Sequence, residues 1–107
     1  MKYINLSIAK DFSDTPGGRY IKQGPFSGEE FRERLLEPQY LKALKENCKL
    51  MINLDGCMGY PSSFLDESFG GLARKYRNND LQKIIEFKSQ DQPGLIDEIK
   101  DMLKNNK

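Results

Sequence analysis

The chain has 107 residues, a length that supports one hydrophobic core, and the expectation is a single domain over residues 1–107. Hydrophobic residues make up 37% and charged residues 31%, with 17 Lys and Arg against 16 Asp and Glu for a net charge of +1. That balance supplies no general pull on nucleic acid or anionic lipid, and a mean hydropathy of −0.70 with no apolar run near about 20 residues argues against a membrane span.

Tyr3-Ile4-Asn5-Leu6-Ser7-Ile8-Ala9 alternates Ile4, Leu6 and Ile8 against polar or aromatic positions, the pattern of a strand with one buried face. Asp11 to Gly18 is a cluster of turn formers, and Arg19-Tyr20-Ile21-Lys22-Gln23 is expected to return as a short second strand. Ser27-Gly28-Glu29-Glu30 has the S-x-x-E form of a capping box, so a helix should start at Gly28 and bury Phe31 and Leu35. Pro38 should break that helix and open a second short one, which carries Leu41 and Leu44 to the core. Lys49-Leu50-Met51-Ile52-Asn53-Leu54 is nearly continuous and apolar, the mark of a central strand covered on both faces.

A loop through Asp55, Gly59, Tyr60 and Pro61 leads to Ser62 or Ser63, where a helix with the stripe Leu65, Phe69, Leu72 and Tyr76 should begin. Lys75 and Arg77 near its end suit the helix dipole, and Asn78-Asn79-Asp80 reads as a turn. Residues 81–87 should form another strand, with Leu81, Ile85 and Phe87 on one face and Ile84 on the other. A last amphipathic helix after Pro93 carries Leu95, Ile99, Met102 and Leu103. The alternation implies an α/β domain with a mixed sheet of about four strands and three to four helices. Binding surfaces in such sheets lie beyond the strand C-terminal ends, which here means residues 55–63.

Histidine is absent, which removes Ser-His-Asp and Cys-His nucleophile systems, the H-E-x-x-H zinc pair and the commonest general base at neutral pH. Cys48 and Cys57, nine apart, make neither a zinc site nor a secreted disulfide framework, and Met1-Lys2-Tyr3-Ile4-Asn5 lacks a signal-peptide apolar region, so a cytoplasmic location is expected. The expectation is a binding or regulatory domain that is not an enzyme and uses no cofactor or metal. Ser62-Ser63 is the sharpest local feature. Spacing alone favours Ser63 as a helix cap with Asp66 as its N3 partner. The functional alternative is a regulatory phosphosite, which would change local charge by about −2.

Asp55, Asp66 and Glu67 are the carboxylates an enzyme or a Mg²⁺ site would use, although Asp-Gly is also a common turn pair. Gly17-Gly18-Arg19 is the alternative ligand site, for a small anion or nucleotide, although a hairpin turn with Arg19 paired to Glu30 accounts for it as well. Tyr60 and Phe64 flank the serines and are candidate apolar anchors for a protein partner. Cys57 lacks a basic neighbour that would activate it. Gly70-Gly71 inside a helix needs compensation, with close helix packing the plain account and approach of a partner the alternative.

Met51-Ile52-Asn53-Leu54-Asp55, Gly59-Tyr60-Pro61-Ser62-Ser63-Phe64-Leu65-Asp66 and Phe69-Gly70-Gly71-Leu72, with Pro16-Gly17-Gly18-Arg19-Tyr20 and Ser27-Gly28-Glu29-Glu30-Phe31, resemble a bacterial family of uncharacterised STAS-like domains. The wider STAS group includes anti-sigma factor antagonists, small α/β proteins that bind a serine kinase related to histidine-kinase ATPases. In those proteins an Asp-Ser-Ser-Gly-type segment follows a central strand and opens a helix, and phosphorylation of its second serine ends the association. The resemblance therefore implies a STAS-like fold, a histidine-kinase-superfamily ATPase as partner, Ser63 as phosphoacceptor with Ser62 beside it, and a contact surface including Asp55, Tyr60, Phe64, Asp66 and Glu67. Pro61 replaces the acidic residue of the wider group, and Phe64 replaces its glycine.

Overall fold

The Ile4–Leu6 alternation forms strand β1 (Tyr3–Ser7) in the computed structural model, which describes residues 2–76 and 80–105. The strand stops at Ser7 because local side chains take over its backbone. The Ser7 hydroxyl accepts from Lys10 N–H at 3.2 Å, and Ser7 N–H donates to Asp11 Oδ2 at 2.8 Å. A one-turn helix (Ile8–Asp11) results, from which Ile8 enters the core.

The second strand expected at residues 19–23 is replaced by a 3-10 turn, Ile21–Gln23, held by Tyr20 N–H donating to Gln23 Oε1 at 3.0 Å. The preceding backbone pairs with a helix start instead. Gly18 and Arg19 carbonyls accept from the N–H groups of Gly28 and Glu29 at 2.9 and 3.0 Å, satisfying first-turn donors that have no partner inside their own helix.

Ser27 caps that helix as its spacing predicts, its Oγ accepting from Glu30 N–H at 3.0 Å. Glu30 reaches back one residue further than a capping box requires, to Phe26 N–H at 3.1 Å. The helix then runs unbroken over residues 28–46, as α-helix at Gly28–Phe31, π-helix at Arg32–Leu36 and α-helix at Glu37–Glu46. The π turn, marked by Glu37 N–H donating to Arg32 O, inserts an extra residue and rotates everything beyond it. The buried line becomes Phe31, Leu36, Tyr40 and Ala43, whereas Leu35 is only partly buried and Leu41 and Leu44 are 44% and 39% exposed. Pro38 does not break the helix because its missing N–H falls beside this register change. Asn47, left-handed at φ 54°, ends it.

β2 (Lys49–Asn53) and β3 (Ile85–Lys88) complete a three-stranded sheet in the order β1-β2-β3, every pair parallel. Among the described residues the sheet is thus neither mixed nor four-stranded. Leu50 pairs with Ile4 and Ile85, and Ile52 with Leu6 and Phe87. Leu6, Leu50, Ile52 and Ile85 are buried on one face, while Asn5, Met51, Asn53 and Glu86 on the other are half-buried or exposed, so β2 is covered on one side only.

The helix between β2 and β3 spans residues 62–75, with a π segment at Asp66–Gly70 between α-helical Ser62–Leu65 and Gly71–Lys75. Leu65, Phe69 and Leu72 are buried as their stripe predicts, and Tyr76 lies just beyond the helix end, partly buried. Arg77 and the turn expected at Asn78-Asn79 lie outside the described residues. The strand expected over 81–87 divides into a short helix (Asp80–Ile84), which buries Leu81, and β3 itself. The last helix (Gly94–Asn105) buries Leu95, Ile99 and Leu103, with Met102 half-buried. Among the described residues no helix is long and apolar enough to cross a membrane.

The two crossover helices meet through missing side chains. A Cβ on Gly28 would stand 2.5 Å from the Phe64 carbonyl oxygen, and one on Gly71 would stand 2.8 Å from Arg32 Nε. Close packing therefore accounts for Gly71: the Arg32 side chain lies over it and reaches Glu67, with Nε donating to the carbonyl at 3.1 Å and Nη2 to the carboxylate at 3.0 Å.

Candidate functional site

The loop leaving β2 (residues 54–61) is pinned from three sides. Asp55 accepts from the backbone N–H groups of Gln90 and Asp91 at 2.9–3.0 Å, tying the loop to the one that follows β3. Those N–H donors, Asp91 first and Gln90 second, hold the Asp55 carboxyl below the usual carboxylate range. Tyr60 OH donates to Leu54 O at 2.7 Å, closing the loop on itself, and burial pushes its phenol well above the ordinary tyrosine value. Met58 N–H donates to Asp14 O at 2.9 Å, and Cys57 Sγ lies 3.5 Å from Ser13 O, so the loop after β1 packs alongside. Burial also raises the Cys57 thiol, leaving it protonated near neutral pH and a poor nucleophile.

Pro61, in extended conformation with ψ 139°, is the N-cap of the 62–75 helix, and its carbonyl accepts from Leu65 N–H. This corrects the expectation that Ser63 is the cap and Asp66 its N3 partner: both serines already lie inside the first turn, too far along for a capping geometry. Ser62 is exposed and Ser63 half-buried, and neither hydroxyl makes a hydrogen bond among the described residues. Phe64 is fully buried, against Phe31 at 5.7 Å, Phe12 at 6.2 Å and Tyr60 at 6.3 Å between ring centroids. It is a core residue beneath the serines and is not available as a surface anchor. The residue that sequence reasoning missed is Met58, 85% exposed at the tip of the same loop. Its signal was a lone large apolar side chain between Cys57 and Gly59 in a turn-rich segment.

One turn below the serines lies a cluster of charges. Arg19 Nη1 stands 2.6 Å from Asp66 Oδ2 and 3.5 Å from Glu67 Oε1. Arg32 holds the other Glu67 oxygen, and Arg74 lies 3.4 Å from Asp66 Oδ1. The hydrogen bond from Arg19 is the main reason the Asp66 carboxyl titrates below its ordinary range, and the same bond raises Arg19. Arg19 therefore pairs with Asp66 and Glu67; Glu30 is taken by Arg34 at 2.6 Å. The glycine loop is occupied too: Gly17 N–H donates to Phe26 O at 2.7 Å, and a Cβ there would lie 2.5 Å from Pro25 O. Its glycines serve close backbone approach, and its arginine grips two carboxylates of the chain itself.

Of the residues singled out by sequence, the fold thus brings Arg19, Ser62, Ser63, Asp66 and Glu67 to one helix end, with Tyr60 beside them. Asp55 is held to the neighbouring loop, apart from the other two acids. Among the described residues there is no group of three or more His, Cys, Asp or Glu side chains placed to hold a metal ion.

A parallel three-stranded sheet whose crossover helices pack together, with a polar helix start at the strand C-terminal ends, defines a small α/β domain of STAS-like architecture. A family model described as STAS-like domain of unknown function (DUF4325) matches residues 27–95, well over half of the chain, and the chain belongs to that family. The match takes in the Ser27 cap, the β2 loop and the whole 62–75 helix, and starts after the Arg19 loop. No curated protein and no solved structure matches the chain.

Proposed function

We propose that this STAS-like domain is a cytoplasmic, non-enzymatic regulatory module that docks on a histidine-kinase-superfamily ATPase and is switched by phosphorylation of Ser63, in the manner of an anti-sigma factor antagonist. The observation that carries this reading is the start of the 62–75 helix, where two serine hydroxyls lie at or near the surface without internal hydrogen bonds. A serine serving only as a cap would have its oxygen on a backbone N–H, and here the cap is Pro61. Met58 supplies the apolar contact beside them, with Tyr60 on the rim and Asp55, Asp66 and Glu67 as its acidic flanks. Phe64 supports the turn from below.

In the transfer the Ser63 Oγ–Pγ bond of ATP's terminal phosphoryl group forms while the bond from Pγ to the β–γ bridging oxygen breaks. ADP leaves with that electron pair, and the hydroxyl proton passes to a base of the kinase. The product adds about two negative charges beside Asp66 and Glu67, converting the docking surface to one that repels an acidic or apolar partner face. The test is incubation with a candidate ATPase of this superfamily, ATP and Mg²⁺. Phosphate is expected in the wild type and in Ser62→Ala, and is lost in Ser63→Ala. Incorporation undiminished by Ser63→Ala rules out that residue as the acceptor.

A further inference from the structure

Arg19 has more donors than its partners use. Only Nη1 is engaged, bridging Asp66 and Glu67, while Nε and Nη2 make no hydrogen bond among the described residues. Asp66 and Glu67 are the i+3 and i+4 neighbours of Ser63, so in helical projection Ser63 falls between them. Side chains on a helix lean towards its N-terminus, which carries both carboxylates, and the guanidinium they hold, up towards the Ser63 hydroxyl. Ser62 is offset to the Asp66 side, and its i+5 relation to Glu67 takes it out of this line.

Resting on the reading of Ser63 as the phosphoacceptor, we infer that Arg19 is the internal receptor for the Ser63 phosphoryl group. Nε and Nη2 are the donors its fork has left over while Asp66 and Glu67, one turn on from Ser63, hold Nη1, and arginine meets phosphate oxygens through paired N–H donors. The phosphate is then held to the domain itself, by a residue whose backbone is pinned to Glu29 N–H at 3.0 Å, so it is withdrawn from any partner's basic groups while its remaining negative charge still faces outward. Arg19 acts as a positioning residue: it takes no part in the transfer and decides where the product's charge rests.

The test bypasses the kinase by installing phosphoserine at position 63 during translation, and follows the phosphorus resonance through its second ionisation, near pH 6 when unperturbed. Capture by Arg19 is expected to lower the midpoint by about one unit relative to phosphorylated Arg19→Ala, and to shift the Arg19 Nε–H resonance over the same pH range. Arg19→Gln keeps the length of the stem and replaces the alanine variant if that one does not fold. Equal midpoints in the wild type and the folded variant, with an unmoved Nε–H signal, overturn the inference and leave the kinase assay on unmodified protein unaffected. A kinase that ignores Ser63, with the midpoint still lowered, overturns the switch and leaves the receptor standing.

Discussion

Phe64 and Met58 are six residues apart and have opposite fates. Phe64 packs among Phe12, Phe31 and Tyr60 with no exposed surface, and Phe64→Ala should cost about 3–5 kcal/mol in a urea unfolding experiment. Met58→Ala should leave the unfolding midpoint within about 0.5 kcal/mol of the wild type and lower affinity for the ATPase proposed as partner. The reverse pattern would place the apolar contact inside the loop and remove Met58 from the proposed docking surface. Hydropathy treats these residues alike; only the path of the chain separates them, because Phe64 lies one residue past the serines on the inward side of the helix.

At the level of elements, two crossover helices are locked by the absence of side chains at their closest points. Gly28 stands against backbone, the Phe64 carbonyl, whereas Gly71 stands against the far part of a flexible side chain, Arg32. Alanine is favoured over glycine in a helix by about 1 kcal/mol, which works in favour of both replacements. Gly28→Ala should nonetheless destabilise by about 1–3 kcal/mol, since neither helix backbone can yield without opening the core. Gly71→Ala should stay within about 1 kcal/mol of neutral, because Arg32 can swing aside at the expense of its bonds to Glu67. Thermal unfolding of the two variants side by side checks the contrast, and a larger loss at Gly71 would mean that the Arg32–Glu67 tie, rather than backbone approach, holds the helices together.

Across the whole molecule, ionic ties join segments far apart in sequence, and their titration sets the pH limits of stability. Arg19 holds Asp66 below its ordinary range, and Glu37 is lowered as well: burial opposes its ionisation, but hydrogen bonds from Lys75 and Tyr76 outweigh it. A carboxyl depressed in the folded state binds protons more readily when unfolded, so its contribution is present above about pH 4 and is lost as pH falls through the folded value. Tyr76 behaves in the opposite way. Its hydrogen bond to Glu37 pushes the phenol up to about 12, so that contribution is present below about pH 10 and disappears as pH rises towards 12. Asp66→Asn should flatten the acid limb of the stability–pH curve and leave the alkaline limb unchanged, whereas Tyr76→Phe should flatten the alkaline limb and, by removing a hydrogen bond that lowers Glu37, part of the acid limb as well. An alkaline limb altered by Asp66→Asn would show that the two clusters are coupled through the helix packing.

Local chemistry was readable from the residues themselves. Ser27 as a cap, the alternating β1, the apolar β2 and the stripe Leu65–Phe69–Leu72 follow from periodicity and hydrogen-bonding capacity, which act over a few neighbours. The resemblance carried by the β2 loop and the 62–75 helix led to the family. What tertiary structure decided was phase and pairing. The π turn at Arg32–Leu36 shifted the buried face to Tyr40 and Ala43, a change invisible to a 3.6-residue pattern because it is set by fit against the neighbouring helix. Arg19 found Asp66 and Glu67 across 47 and 48 residues of chain, and no spacing rule reaches that far. Ser63 lost its expected place as a cap to Pro61, since the loop enters the helix two residues earlier than hydroxyl preference alone would set. Short-range preferences write the elements, and the burial of large side chains between them chooses which face, which partner and which oxygen meets the surface.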